Sequence, residues 1–166
     1  NANAKDAKLI DRFSCSHIIP SSHISTYAVP AGPSNVTLDF RHGSREKDTL
    51  LRELFGCVHH ICAAVPHGVV LFFTSYAYME LVVTAWRRMQ LTPQLGAVKH
   101  LCVEQRKADC GGGGSRAVAE DAWTKYCRCI HDSTHHAASK GAVLLSVMGG
   151  KLSEGINFSD DLARAV

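Results

Sequence analysis

The chain lacks the G-x-x-x-x-G-K-[ST] loop that cradles nucleotide phosphates, and no acidic metal-binding box follows any apolar segment. By itself it is not expected to hydrolyse a nucleotide. No apolar run approaches the length needed to span a bilayer; the longest, around residues 69–73, is strand-sized. The opening NANAKDAKLIDRF has no apolar core between a basic end and a cleavage site, so it does not read as a secretory signal. Clustered basic residues are also missing. The 18 Lys and Arg against 15 acids give a net charge of +3, with short pairs only at Arg87 and Arg88 and at Arg106 and Lys107. That argues against a dedicated nucleic-acid-coating protein. Nothing local suggests a Ser-His-Asp or Cys-His nucleophile, and His17 and His23, flanking Pro20, read as loop.

The seven cysteines, Cys15, Cys57, Cys62, Cys102, Cys110, Cys127 and Cys129, have no disulfide spacing, which suggests reduced thiols in a cytosolic or nuclear protein. Cys127, Cys129 and His131 form C-x-C-x-H, followed by His135 and His136. Zinc sites pair their ligands as C-x2-4-C or H-x3-5-H. This cluster does neither, so a helix with small buried thiols is expected and no metal site is assigned.

What is present is α/β order. Residues 36–40 alternate apolar and polar and read as a strand. From Asp48, Leu50, Leu51, Leu54, Phe55, Val58, Ile61 and Cys62 fall on one helical face, ended by Pro66, His67 and Gly68. Residues 69–73 are a buried strand, and Thr74 and Ser75 are N-cap residues for a helix from Tyr76 carrying Met79, Val82, Val83 and Trp86. A strand is expected over 98–103, a helix over 117–131 with Val118, Ala122, Trp123, Tyr126 and Ile130 on one side, and a strand over 142–147. Residues 110–115, CGGGGS, read as a glycine-rich insertion. The terminal LARAV looks like the opening of a further strand, and the chain is expected to be a piece of a larger protein. Alternating strands and helices imply a mostly parallel sheet flanked by helices.

Two loops carry candidate chemistry. FFTSY, residues 72–76, turns from strand to helix with hydroxyls that suit a phosphate, although the same letters cap many helices that bind nothing. GGKLSEGINF, residues 149–158, leaves the carboxyl end of an uncharged strand, where open α/β sheets bind ligands. There Gly149, Gly150 and Gly155 permit close backbone approach, Lys151 and Ser153 can reach phosphate oxygens, and Glu154 and Asn157 can polarise water or bind a sugar hydroxyl or phosphate. A solvated glycine turn is the plain alternative.

These residues point to a family. Residues 141–166, GAVLLSVMGGKLSEGINFSDDLARAV, resemble motif V of the XPD-like iron–sulfur DEAH DNA helicases of superfamily two, and residues 69–76, VVLFFTSY, resemble their motif IV. Residues 14–24, SCSHIIPSSHI, and 32–35, GPSN, resemble the segment opening the second motor domain. With Asn157 where many relatives have Asp, these stretches are most similar to the branch serving sister-chromatid cohesion.

The resemblance covers residues 13–166. It implies a partial RecA-like domain, the second lobe of an ATP- and Mg2+-dependent helicase moving 5′ to 3′ on single-stranded or forked DNA. Thr74, Ser75, Tyr76, Lys151 and Ser153 would hold DNA or order the loops that do. Gly150, Glu154, Gly155 and Asn157 would face the ATP cleft, with Glu154 catalytic. It further implies a nuclear protein acting with its own first RecA-like lobe and with cohesion and replication factors, without a membrane. The nucleotide loop, the DEAH box and the 4Fe-4S cluster belong to that first lobe, and no cysteine here matches the cluster's ligands. The chain stops before the family's motif VI, so alone it is expected to be inactive. The alternative is a non-catalytic α/β interaction module from an inactive or truncated relative.

Overall fold

The computed structural model describes residues 20–106, 121–135, 140–150, 152–153 and 156–166. The expected elements over residues 1–12 and 15–19, the insertion over 110–115 and Val118 lie outside them.

Helix α1, Asp48–Ala64, buries Leu50, Leu51, Phe55, Val58 and Cys62. Leu54 packs at the margin of that core, and Ile61, expected on the same face, is 40% exposed. The helix stops where Val65 turns extended (φ −90°, ψ 127°), the conformation that the ring of Pro66 imposes on the residue before it. Strand β1, Gly68–Phe73, leads through Thr74 and Ser75 into helix α2, Tyr76–Arg88. The indole of Trp86, fully buried, donates to the Leu51 carbonyl at 2.9 Å and locks α2 to α1.

Residues 98–103 are not one strand. Pro93, which suits a first helical turn, opens a short helix α3, Thr92–Val98, and strand β2 is only His100–Val103. Helix α4 spans Ala122–His135 and strand β3 spans Ala142–Val147. Residues 36–40 are not a strand either. A single antiparallel bridge joins Ala31 to Thr37 around a turn closed by Gly32 N–H to the Val36 carbonyl, 2.9 Å. With no neighbouring strand to pair with, Val36 and Phe40 remain 42% and 45% exposed.

The three strands form a parallel sheet in the order β1-β3-β2. The architecture is therefore α/β, a parallel sheet flanked by helices, as expected. Strand β3 is central and buried along its whole length, because it is covered on both faces. Val143, Leu145 and Val147 pack into the core shared with α1, α2 and α3, while Ala142 and Leu144 pack with Tyr126, Cys129 and Ile130 of α4. This two-residue alternation is why a continuous apolar run serves a strand here. The LARAV segment contributes one parallel bridge, Ala165 to Val69, on the free side of β1, with Val70 N–H donating to the Ala165 carbonyl at 2.9 Å. Among the described residues no helix is long and apolar enough to cross a membrane.

Candidate functional site

Register decides where the two candidate loops meet. Phe73 of β1 pairs with Val147 of β3, so both strands end at the same rim. The Met148 N–H donates to the Phe73 carbonyl at 2.9 Å, carrying the pairing one step into the loops. On the β1 side, Thr74 is exposed and Ser75 is a helix cap, its Oγ accepting from the Tyr78 N–H at 3.2 Å. Tyr76 is half-buried and turns its phenol across the rim toward β2.

The group that receives it is Glu104, the residue after β2, and nothing in the sequence reading selected it. Its N–H donates to the Leu145 carbonyl at 2.9 Å, continuing the ladder, and its carboxylate is folded inward with the residue 6% exposed. One oxygen, Oε1, accepts from the Tyr76 hydroxyl at 2.8 Å; the other, Oε2, accepts from the Ser146 hydroxyl at 2.7 Å and from the Val147 N–H at 3.1 Å. These donors offset the cost of removing a carboxylate from water. Gly150 sits against the same group. A Cβ there would lie 2.9 Å from the Tyr76 hydroxyl oxygen, 2.9 Å from the Val147 carbonyl and 3.1 Å from Glu104 Oε1, so the loop after β3 passes this close only as glycine. The one available signal was an acid directly following the apolar HLCV, which in sequence reads as a solvated strand end. Its burial depends on Tyr76 and Ser146, 28 and 42 positions away.

Beyond Gly150, Leu152 plugs into the core beneath α4 with 3% exposure. Ser153 is half-buried, and both its N–H (3.2 Å) and its hydroxyl (3.0 Å) donate to the Gly150 carbonyl, closing a tight turn. Asn157 is exposed, and Phe158 beside it stacks edge-on against Phe72 at 6.0 Å and Trp123 at 5.5 Å, pinning the returning chain over the end of β1. Thus Thr74, Ser75, Tyr76, Gly150 and Ser153 gather at one rim, with Asn157 on its outer side. Lys151, Glu154 and Gly155 lie outside the described residues. A cavity of about 470 Å³ also lies beside Thr74, lined by Phe40, Leu54, Leu71, Phe73, Tyr78 and Arg45.

The rim presents the exposed Thr74 and backbone at close range, groups able to meet a phosphate oxygen. Metal chemistry finds less. Cys127 and Cys129 are two residues apart on α4, so their side chains point ~200° apart and cannot converge on one ion. Cys129 is buried beside Ile130, burial pushes the Cys127 thiol up, away from the thiolate a metal needs, and His131 is exposed. His136 and the side chain of His135 are not described. Among the described residues no group of three or more His, Cys, Asp or Glu is placed to hold a metal, so Cys57, Cys62, Cys102, Cys127 and Cys129 do not fit a 4Fe-4S cluster.

Comparison with known proteins shows the family. A family model described as the helicase C-terminal domain matches residues 58–166. The ATP-dependent DNA helicase CHL1 of Scheffersomyces stipitis is 37% identical over 159 residues, 96% of this chain and 17% of that protein. The ATP-dependent DNA helicase DDX11 is 37% identical over 162 residues in Mus musculus and in Homo sapiens, 97% of this chain in each case and 17% and 16% of those proteins. The chain therefore spans about a sixth of the length of the curated relatives it matches.

Proposed function

The chain belongs to the helicase C-terminal domain family, and we propose that it is the second RecA-like motor lobe of an ATP-dependent DNA helicase moving 5′ to 3′ in the nucleus. The observation that carries this reading is the meeting of the loops after β1 and β3 at one rim through Tyr76, Glu104 and Gly150. Ligand-facing loops at the carboxyl ends of parallel strands are where such sheets bind.

In this reading Thr74, Ser75, Tyr76, Lys151 and Ser153 hold the DNA backbone or order the loops that touch it. Gly150, Glu154, Gly155 and Asn157 face a cleft shared with the first RecA-like lobe. ATP with Mg2+, bound there, supplies the free energy of phosphoryl transfer. This lobe's residues position the phosphates, and Glu154 orients the attacking water. Glu104 lets the cleft side and the DNA side of the rim move as one body, because Tyr76 and the end of β3, from which the second loop leaves, share its carboxylate. DNA contact through backbone phosphates is sequence-tolerant and weakens with salt. A 4Fe-4S cluster is assigned to the first lobe, and cohesion and replication factors are the partners the family resemblance suggests.

The test uses the full-length parent protein. Ser153→Ala is expected to lower ATPase stimulation by single-stranded DNA, and Glu154→Gln to lower turnover more than DNA affinity. Unchanged stimulation in the first variant, or equal losses of turnover and affinity in the second, would count against these assignments.

A further inference from the structure

The rim has a third loop, which neither the motif resemblance nor the family match singles out. It follows β2, and its described part is Glu104, Gln105 and Arg106. Gln105 and Arg106 are exposed, and the Arg106 guanidinium lies over the Tyr76 ring, 5.5 Å from its centroid. A guanidinium on an aromatic face is held in place with its N–H edge still turned to solvent. The ring is itself fixed, because its hydroxyl donates to the buried Glu104 carboxylate. No ion pair among the described residues engages Arg106. An oriented cation therefore stands over Tyr76, the residue whose hydroxyl Gly150 lies against, on the rim assigned above to phosphates.

We propose that the loop after β2 is a third nucleic-acid contact, in which Arg106, presented by Tyr76, binds a backbone phosphate of single-stranded DNA. The inference rests on the motor reading and adds a residue to it. Tyr76 then has two tasks: its ring orients Arg106, and its hydroxyl ties that orientation to the loop after β3 through Glu104. Arg106 is a binding residue; Tyr76 and Glu104 are positioning residues.

The experiment measures the affinity of the full-length parent protein for an oligo-dT single strand across a salt series. Arg106→Ala is expected to weaken binding several-fold and to flatten the slope of log K against log salt by about 0.7, the share of one released counterion on single strands. Arg106→Lys retains the charge and is expected to keep the slope while losing part of the affinity. Tyr76→Phe keeps the ring and removes the hydroxyl, so its slope should stay near wild type, whereas Tyr76→Leu should resemble Arg106→Ala. Wild-type affinity and slope in Arg106→Ala overturn the proposal, as does weaker binding with an unchanged slope, which would mark a structural role. If the wild-type protein itself shows no salt-dependent binding of single strands, the motor reading fails instead.

Discussion

The two ends of the same strands are built differently. At the amino rim, main-chain carbonyls accept the closing hydrogen bonds. The His67 carbonyl accepts from the Ala142 N–H at 3.2 Å and from the buried Lys99 ammonium at 2.8 Å, and the Gly141 carbonyl accepts from the His100 N–H at 3.0 Å. Gly141 has φ +68°, and a Cβ there would lie 2.3 Å from the His67 carbonyl oxygen. At the carboxyl rim, side chains from the start of α2 and the end of β3 meet on Glu104, while Thr74, Arg106, Met148 and Asn157 remain exposed. A rim closed by backbone has one geometry. A rim closed by side chains can be loosened one contact at a time, which is what the proposed motor lobe, answering to two ligands, requires.

The sharpest way to break this contrast is Gly141→Ala. A left-handed backbone and a clash with main chain cannot both relax, so a loss of ~3 kcal/mol or more is expected in urea unfolding of the 166-residue chain. A loss under ~1 kcal/mol would mean the amino rim is as adjustable as the other. Glu104→Ala should cost ~1–3 kcal/mol, because the fully buried Ser146 hydroxyl and the Val147 N–H lose their acceptor. Adding Ser146→Ala to that variant should then cost less than Ser146→Ala alone. Additive losses in the cycle would show that the clasp is not one unit.

The smallest effect is expected with pH. Burial pushes the Cys62 thiol up to about 11 from 9.0, so the fold favours its protonated form. That contribution is complete below pH 9 and is lost as pH climbs toward about 11. Lys99, which burial pulls below 10.5, acts with the opposite sign and gains stability as pH approaches that value. Unfolding midpoints between pH 8 and 11 should fall less steeply in Cys62→Ala than in wild type. Identical slopes would remove Cys62 from the alkaline response.

Much of the frame was legible because it is local. The apolar run at 142–147, the periodic face of α1 and the Ser75 cap each declare themselves within a few residues. Residues 36–40 misled because alternation marks a strand only if a partner exists, and here one turn supplies a single bridge. Residues 98–103 misled at their start because Val98 closes a helix begun at Thr92 with Pro93 in its first turn. Thr74, Ser75, Tyr76 and Gly150, singled out through their loops, lie at the carboxyl rim. Glu104 and Arg106 were not singled out, because an acid and a base after a strand look the same whether they face water or a neighbouring phenol.

By itself the sequence determined α1, β1, α2, the burial of β3 and the family to which the chain belongs, since each depends on residue type and spacing along one stretch. Only the tertiary structure decided that the start of α2 and the end of β3 share the carboxylate that follows β2. That contact depends on parallel register, which brings Tyr76, Glu104 and Ser146 to one rim although 28 and 42 positions separate the acid from its two hydroxyl donors.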